Sequence, residues 1–157
     1  MLVRKALLQD ASNVYDLVNS LSGDGTLLKR AFAEICENIR DFTVAESDGG
    51  VFLGCGALHL YGPHLSEVRS IVVKPEAKGQ GAGGRILGAL IEEAEVHGIQ
   101  SVCLFTRIPD FFFKYGFFRT CKRFRIHRLV AGWCKLFFSR LSRSNFRNNY
   151  FQFMLFF

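Results

Sequence analysis

Apolar positions recur along the chain with two different spacings. Short apolar or alternating runs rich in β-branched residues predict strands, whereas apolar residues three or four positions apart predict helices. The predicted order is β-α-α-β-β-β-α-β-α-β-β, with no internal repeat and no linker. The expected strands are residues 2–6, 42–46, 51–60, 65–73, 101–106, 117–121 and 150–157, and the expected helices are residues 11–21, 29–38, 85–95 and 109–115.

Cap and turn residues separate several of these elements. Asp10 is a suitable N-cap for the helix over residues 11–21, which has Val14 and Leu17 on its apolar face. Pro75 cannot donate to a strand ladder, so it ends the fourth predicted strand. At 157 residues, a chain with this continuous pattern is expected to form one domain with a substantial core.

Composition argues against a membrane span, a signal peptide and a metal site. No apolar run reaches the roughly 18 residues that a spanning helix needs. The N-terminus is charged at once and lacks the apolar core of a signal peptide, so a cytoplasmic location is expected. The five cysteines show no metal-ligand spacing, so they are interpreted as reduced thiols and no metal is expected.

The chain changes character near Phe111. All 14 acidic residues lie before that point, while 13 of the 17 phenylalanines lie in residues 111–157 together with half of the Lys and Arg. Three hypotheses stay open for this part: a divergent but genuine ending with a last strand over residues 150–157, an ending replaced through a shifted reading frame, and a basic-aromatic tail for nucleic acid or an anionic membrane surface. No nucleic-acid motif accompanies the charge, so a nucleic-acid partner is not expected.

A glycine-rich turn between the fourth predicted strand and the third predicted helix is the strongest candidate for chemistry. Gly79, Gly81, Gly83 and Gly84 lie where a helix begins, and the first amides of a helix lack helical acceptors and attract an anion. The turn ends Gly-Gly-Arg, unlike the Gly-Lys-Ser/Thr of a nucleotide P-loop. The strand over 101–106 ends without the acidic residue of a dinucleotide site. The turn therefore predicts a pyrophosphate site of another kind.

The segment Lys78-Gly79-Gln80-Gly81-Ala82-Gly83 resembles the acetyl-CoA loop of the GNAT N-acetyltransferases, Arg/Gln-x-x-Gly-x-Gly/Ala, with lysine where arginine or glutamine is usual. Six further blocks carry a narrower resemblance: residues 25–30, 37–42, 53–59, 66–73, 104–106 and 112–117. They resemble one branch of that family, the short amino-acid N-acetyltransferases similar to N-acetylglutamate synthase. The resemblance implies an α/β fold with a mixed central sheet flanked by helices, in a single domain over 1–157 whose segment 119–157 is atypical.

That branch implies an enzyme that moves an acetyl group from acetyl-CoA to the α-amine of an amino acid. The implied acceptor is L-glutamate, attacked directly in a ternary complex as a step towards arginine. A homodimer is implied as well. Two alternatives stay open: acetylation of another small amine with the same loop, and a non-catalytic module that binds acetyl-CoA.

The same resemblance implies three catalytic positions. Glu67 stands where the family has the general base that accepts the amine proton. The backbone N–H of Ser70 stands where the family has a donor to the oxyanion, and Thr106 stands where it has a hydroxyl that acts as the general acid. These residue types suit the reaction, because attack on a thioester needs an unprotonated amine. His59 and Cys55 are interpreted as core or pocket lining.

Cations and backbone groups are implied as contacts for the two substrates. Arg30 stands where this branch places an arginine on the substrate carboxylate, with Arg69 and Arg107 as further candidates, the last where a tyrosine is often found. The edge of the fourth strand is expected to bind the pantetheine arm as an added strand would, and the loop amides to bind the pyrophosphate. The expected cofactor-binding residues are Ile71, Val72, Val73, Lys78, Gly79, Gln80, Gly81, Ala82, Gly83, Gly84 and Arg85.

Overall fold

The computed structural model describes residues 1–21 and 29–118 and the backbone of residues 151–152 and 155–156. Two compact units are present, Met1–His59 with Val68–Glu93, and Leu60–Glu67 with Ala94–Phe157. The expectation of a single domain stays a prediction. The helices are α1 Ala11–Ser20, α2 Phe32–Glu37, α3 Ala82–Val96 and α4 Pro109–Phe113, and the strands are β1 Leu2–Lys5, β2 Phe42–Glu46, β3 Phe52–Gly62, β4 Leu65–Val73, β5 Ser101–Thr106, β6 Phe151–Gln152 and β7 Leu155–Phe156.

Most predicted elements are present, with shifts at their ends. α2 begins later than expected, at Phe32, and α3 begins earlier, at Ala82, so two of the turn glycines are helical. Residues 117–118 are not in a strand, and the rest of the strand predicted there lies outside the described residues. The same holds for most of the atypical C-terminal segment, of which only β6 and β7 are described. In the part of the chain that the structure describes, no helix is long and apolar enough to cross a membrane.

The first unit is built on four neighbouring strands in the order β1-β2-β3-β4. β1 pairs with β2 and β2 with β3, both antiparallel, so that Leu2 lies opposite Glu46 and Phe42 opposite Ala57. Residues of α1 and α2 pack against β2, β3 and β4 in one buried cluster, which explains the helical spacing of their apolar residues. Its members include Val14, Leu17, Val18, Ile35, Val44, Cys55 and Val72.

The prediction for the start of α1 is wrong in one detail. Asp10 makes no capping bond to α1. Its carboxylate instead accepts hydrogen bonds from both terminal nitrogens of Arg4, at 2.7 and 3.0 Å, and from the backbone N–H of Leu7 at 2.7 Å. The Arg4 guanidinium thereby holds the pKa of Asp10 below its ordinary value. An ionic donor displaces the local cap because charge-assisted hydrogen bonds are the stronger ones.

The second unit contains parallel pairs. β5 pairs in parallel with β6, where Ser101 lies opposite Phe151, and with β7, where Phe105 lies opposite Leu155. After β5, the short helix α4 buries Phe112, whose ring meets that of Phe117 edge-on with centroids 5.9 Å apart. Parallel pairs here and antiparallel pairs in the first unit agree with the mixed pairing expected from the sequence.

Two glycines of β3 permit the close packing on which the glycine-rich turn rests. A Cβ at Gly54 would lie 2.6 Å from the carbonyl oxygen of Val72, and one at Gly56 would lie 2.8 Å from the side chain of Ile86 and 3.0 Å from that of Ile71. These separations are shorter than van der Waals contact. β3 therefore meets β4 and α3, the two elements that the turn joins, at positions where only a hydrogen fits.

We expect Gly54→Ala to destabilise the protein by about 1–3 kcal/mol, because the new methyl group must displace the backbone of β4. The matched control is Gly88→Ala on α3, where a Cβ would meet nothing within 4 Å. That change should instead stabilise the protein by about 0.5–1 kcal/mol, through helix propensity. Urea unfolding of both variants measures the difference, and equal stabilities would contradict the close approach.

Candidate functional site

The glycine-rich turn connects β4 to α3 within the first unit. After β4 the chain makes a 3₁₀ turn, Pro75–Ala77, and Gly79 and Gly81 then adopt φ values of +81° and +82°. Glycine reaches these left-handed angles at little cost, whereas residues with a Cβ avoid them. A Cβ at Gly79 or Gly81 would meet nothing within 4 Å, so the turn has open space beside it.

Backbone amides at the start of α3 supply donors to this turn. Within residues 78–85, all of which are described, the helical ladder begins at Arg85, whose N–H donates to the carbonyl oxygen of Gly81 at 3.0 Å. The amides of residues 82–84 precede the ladder and so have no helical acceptor. Together with the dipole of α3, they form a group of donors suited to a phosphate oxygen.

The polar side chains at the turn are exposed. Lys78, Gln80 and Arg85 all lie at the surface, and Arg85 donates to the carbonyl oxygen of Met1 at 3.2 Å. The backbone N–H of Gln80 donates to Ala77 at 3.4 Å. The sequence prediction gave this amide to the pyrophosphate, but the structure directs it into the turn, so residues 82–84 are the better donors.

The strand before the turn contains one residue in a backbone conformation that residues other than glycine rarely adopt. Ser70 lies within β4, is buried, and has a φ of +53°. A non-glycine residue in the left-handed region persists only where its surroundings hold it, and such positions concentrate at functional sites. The predicted pantetheine edge, residues 71–73, follows immediately, with Val72 buried and its two neighbours half-buried.

Arg30 and Ser70 are in contact, although 40 residues separate them. Nε of Arg30 donates to Oγ of Ser70 at 3.1 Å, and Nη1 of Arg30 forms an ion pair with Glu34. The backbone of Arg30 is fixed from α1, because the side-chain amide of Asn19 accepts from its N–H and donates to its carbonyl, each at 3.0 Å. Two residues predicted for the site are thus brought together, and Asn19 determines where one of them lies.

A second cluster in the same unit joins Arg69, His59 and Asp41. Nδ1 of His59 lies 2.9 Å from Oδ2 of Asp41 and 3.0 Å from Nη2 of Arg69, and that arginine nitrogen lies 3.6 Å from the aspartate. The sequence interpretation of His59 as lining missed this ionic environment. A carboxylate already lies beside Arg69.

Cys55 agrees with its interpretation as a core or lining residue, because it belongs to the buried core of the first unit. It is fully buried in β3, and burial raises the pKa of its thiol to about 12, so the neutral thiol persists at physiological pH. Its Sγ lies 4.0 Å from the carbonyl oxygen of Ser70. Within the ranges that the structure describes, no group of three or more His, Cys, Asp and Glu residues is arranged to hold a metal ion.

The second unit contains the other predicted catalytic side chains. The carboxylate of Glu67 accepts a hydrogen bond of 2.6 Å from the hydroxyl of Tyr61. Thr106 is buried at the end of β5, where its hydroxyl oxygen accepts from the backbone N–H of Ile108 at 3.0 Å. A hydroxyl that accepts keeps its own hydrogen to donate. Arg107 is exposed.

Sequence reasoning missed several residues that hold the candidate groups in place. The spacing of Arg30 and Glu34 would have indicated an i, i+4 ion pair. Asn19, Asp41 and Tyr61 carry no comparable local signal, since each acts on a residue that only the fold brings near, or that lies across a turn.

Comparison with known proteins identifies relatives over the same part of the chain. A family model described as an acetyltransferase (GNAT) domain matches residues 38–118. An uncharacterised N-acetyltransferase of Chlorobaculum tepidum is 37 % identical over 119 residues, covering 73 % of this chain and 74 % of that protein. An amino-acid acetyltransferase of Mycobacterium tuberculosis is 33 % identical over 117 residues, covering 73 % of this chain and 67 % of that protein.

One similar solved structure is N-acetylglutamate synthase from Neisseria gonorrhoeae, complexed with coenzyme A and N-acetyl-glutamate. It matches with a TM-score of 0.68 at 27 % identity, over 73 % of this chain. The match spans 27 % of the Neisseria chain, so this chain corresponds to about a quarter of that protein.

The backbone of Ser70 yields a prediction about stability. Ser70→Ala and Ser70→Gly both remove the hydroxyl that Arg30 contacts, but only glycine relieves the left-handed φ. We therefore expect the glycine variant to be more stable than the alanine variant by about 0.5–1 kcal/mol, measured by thermal or urea unfolding. A more stable alanine variant would contradict the strained backbone.

Proposed function

Since this chain belongs to the acetyltransferase (GNAT) family, we propose that it transfers an acetyl group from acetyl-CoA to the α-amine of an amino acid, with L-glutamate as the acceptor. The family resemblance, the fold class and the expectation of an acetyltransferase are confirmed. The glutamate acceptor is supported by the amino-acid acetyltransferase relative and by the N-acetyl-glutamate in the Neisseria complex. A place in arginine synthesis stays a prediction. A homodimer and a cytoplasmic location stay predictions.

One observation carries the proposal: the turn after β4 is shaped for a pyrophosphate. Gly79 and Gly81 open it through left-handed backbone angles, and the amides of residues 82–84 face no helical acceptor. Lys78 and Arg85, which flank the turn in the sequence, add two exposed cations. Acetyl-CoA supplies the acetyl thioester, and these residues hold its phosphates.

Arg30 is the residue to which we assign the carboxylate of the amino acid. Its side chain is mostly buried and its guanidinium is oriented by Ser70, so it presents a fixed donor rather than a mobile surface charge. A guanidinium with fixed orientation suits a planar carboxylate, which accepts two parallel hydrogen bonds. Arg69 is the weaker candidate, because the carboxylate beside it is less exposed than Glu34, 26 % against 44 %, and also lies against His59.

Glu67 is the residue to which we assign the removal of a proton from the ammonium group of the substrate. Tyr61 donates to its carboxylate and so limits its orientation. A carboxylate has acceptor sites beyond the one that tyrosine uses, so Glu67 can accept a proton directly or through water. The amine, once deprotonated, has the lone pair needed to attack a thioester carbon.

We assign to Ser70 and Thr106 the stabilisation of the negative charges that develop on the oxygen and the sulfur of the thioester. The backbone N–H of Ser70 donates a hydrogen bond to the oxygen of the tetrahedral intermediate. As the C–S bond breaks, the hydroxyl of Thr106 gives its proton to the departing sulfur, and the proton that the nitrogen loses on becoming an amide replaces it through water. Both residues are buried, and donors in a dry environment stabilise a developing charge more than donors in water do.

The left-handed glycines of the turn allow a prediction of how their substitution affects acetyl-CoA binding. We expect Gly81→Ala to weaken acetyl-CoA binding at least tenfold in isothermal titration, because the methyl group fills the open space and strains the backbone. The matched control is Gly50→Ala, at a hairpin turn with a φ of +75° and similarly open space, which should leave the affinity within twofold. Equal affinity in both variants, or no binding by the unmodified protein, would refute the loop assignment.

Turnover with L-glutamate tests the acceptor and the base together. We expect Glu67→Gln to lower kcat about 10²–10⁴-fold with acetyl-CoA affinity retained, whereas Glu92→Gln, at an exposed position of α3, leaves kcat unchanged. The release of the coenzyme A thiol measures turnover. A polyamine or another small amine reacting in place of glutamate would refute the acceptor, and acetyl-CoA binding without any turnover would favour a non-catalytic module.

A further inference from the structure

The ion pair between Arg30 and Glu34 bears on how an acidic substrate enters the site. Arg30 has donors on Nε, Nη1 and Nη2, of which Nε is taken by Ser70 and Nη1 by Glu34. Ser70 is a neutral acceptor, so it orients the guanidinium without cancelling its charge. Glu34 is a carboxylate, the same chemical group that the proposed substrate would present to Arg30.

We propose that Glu34 is an internal competitor for the substrate carboxylate and thereby a determinant of substrate affinity. This inference rests on the proposed function, in which Arg30 binds that carboxylate. When the substrate arrives, its carboxylate takes Nη1 and Glu34 turns away into solvent.

The exposures of the two side chains favour this exchange. The side chain of Arg30 is 13 % exposed, whereas that of Glu34 is 44 % exposed. Glu34 can therefore leave Arg30 and regain water without moving any buried group. Because the carboxylate end of this part-buried pair is in contact with water, its attraction is partly screened and a substrate carboxylate can displace it.

The contacts that hold Arg30 do not depend on Glu34. Asn19 fixes its backbone through two hydrogen bonds, and Ser70 fixes its Nε. Loss of the Glu34 carboxylate should therefore leave the guanidinium in place with one more donor available. If Glu34 mainly positioned Arg30, its loss would instead weaken substrate binding, so the two roles predict changes of opposite sign.

The test compares Glu34→Gln with Glu37→Gln in steady-state kinetics with L-glutamate at saturating acetyl-CoA. Glu37 is exposed on the same helix, so its variant removes the same charge from the same region. We expect Glu34→Gln to lower KM for glutamate two- to fivefold with kcat within twofold, and Glu37→Gln to change neither. Calorimetric titration of glutamate into the coenzyme A complex should show the same gain in affinity.

A double variant ties the effect to Arg30. Arg30→Met should raise KM, and adding Glu34→Gln to it should then produce no further change. An unchanged or raised KM in Glu34→Gln, or equal decreases in Glu34→Gln and Glu37→Gln, would overturn the inference while the acetyltransferase activity stands. Failure of the unmodified protein to acetylate glutamate would instead overturn the proposed acceptor. That measurement needs no variant, so the two failures are distinguishable.

Discussion

The approach of β3 to both β4 and α3 is the packing constraint on which the candidate site depends. Gly54 touches the backbone of β4 and Gly56 touches the side chains that α3 buries. The turn that joins β4 to α3 therefore begins and ends on elements fixed against one strand. Because both ends are held, the first amides of α3 keep one direction, and a rigid set of donors binds an anion without a large loss of conformational entropy.

The same principle of fixed donors extends to Arg30. Residues 21–29 separate α1 from this arginine, yet the side-chain amide of Asn19 hydrogen-bonds to both its backbone N–H and its carbonyl oxygen. Nε of Arg30 then reaches Ser70, whose left-handed backbone a serine alone would not choose. The strained position persists because the hydrogen bond and the burial of Ser70 over-determine it. Strain of this kind is consistent with a backbone shaped for a task rather than for stability.

Local patterns in the sequence were sufficient for most of the fold and for the turn. Alternating or β-branched runs predicted β2, β4 and β5 at their observed ends, because these strands have buried faces that demand such residues. The glycines at 79 and 81 predicted a turn, and both adopt left-handed angles that few other residues tolerate. Predictions from local signals failed where a distant partner decided the outcome, as at Asp10, where Arg4 replaced the expected helix cap.

The candidate site was predictable as a set of residue types but not as an arrangement. Nothing near Arg30 in the sequence indicates Ser70, since the two lie 40 positions apart and meet only in the folded chain. Likewise, the ionic environment of His59 depends on Asp41 from before β2 and Arg69 from β4. Resemblance to a family supplied the roles, whereas the contacts that hold these side chains came only from the structure.

The carboxylates beside the arginines of the first unit distinguish structural ion pairs from exchangeable ones. Arg4 is paired with Asp10 and Glu46, whose side chains are only 8 % and 16 % exposed. Neither carboxylate can return to water without unfolding its surroundings, so that arginine is committed to the fold. The partner of Arg30 is far more exposed and returns to water when displaced. An arginine oriented by neutral groups, with a replaceable carboxylate, is the one suited to bind an acidic ligand.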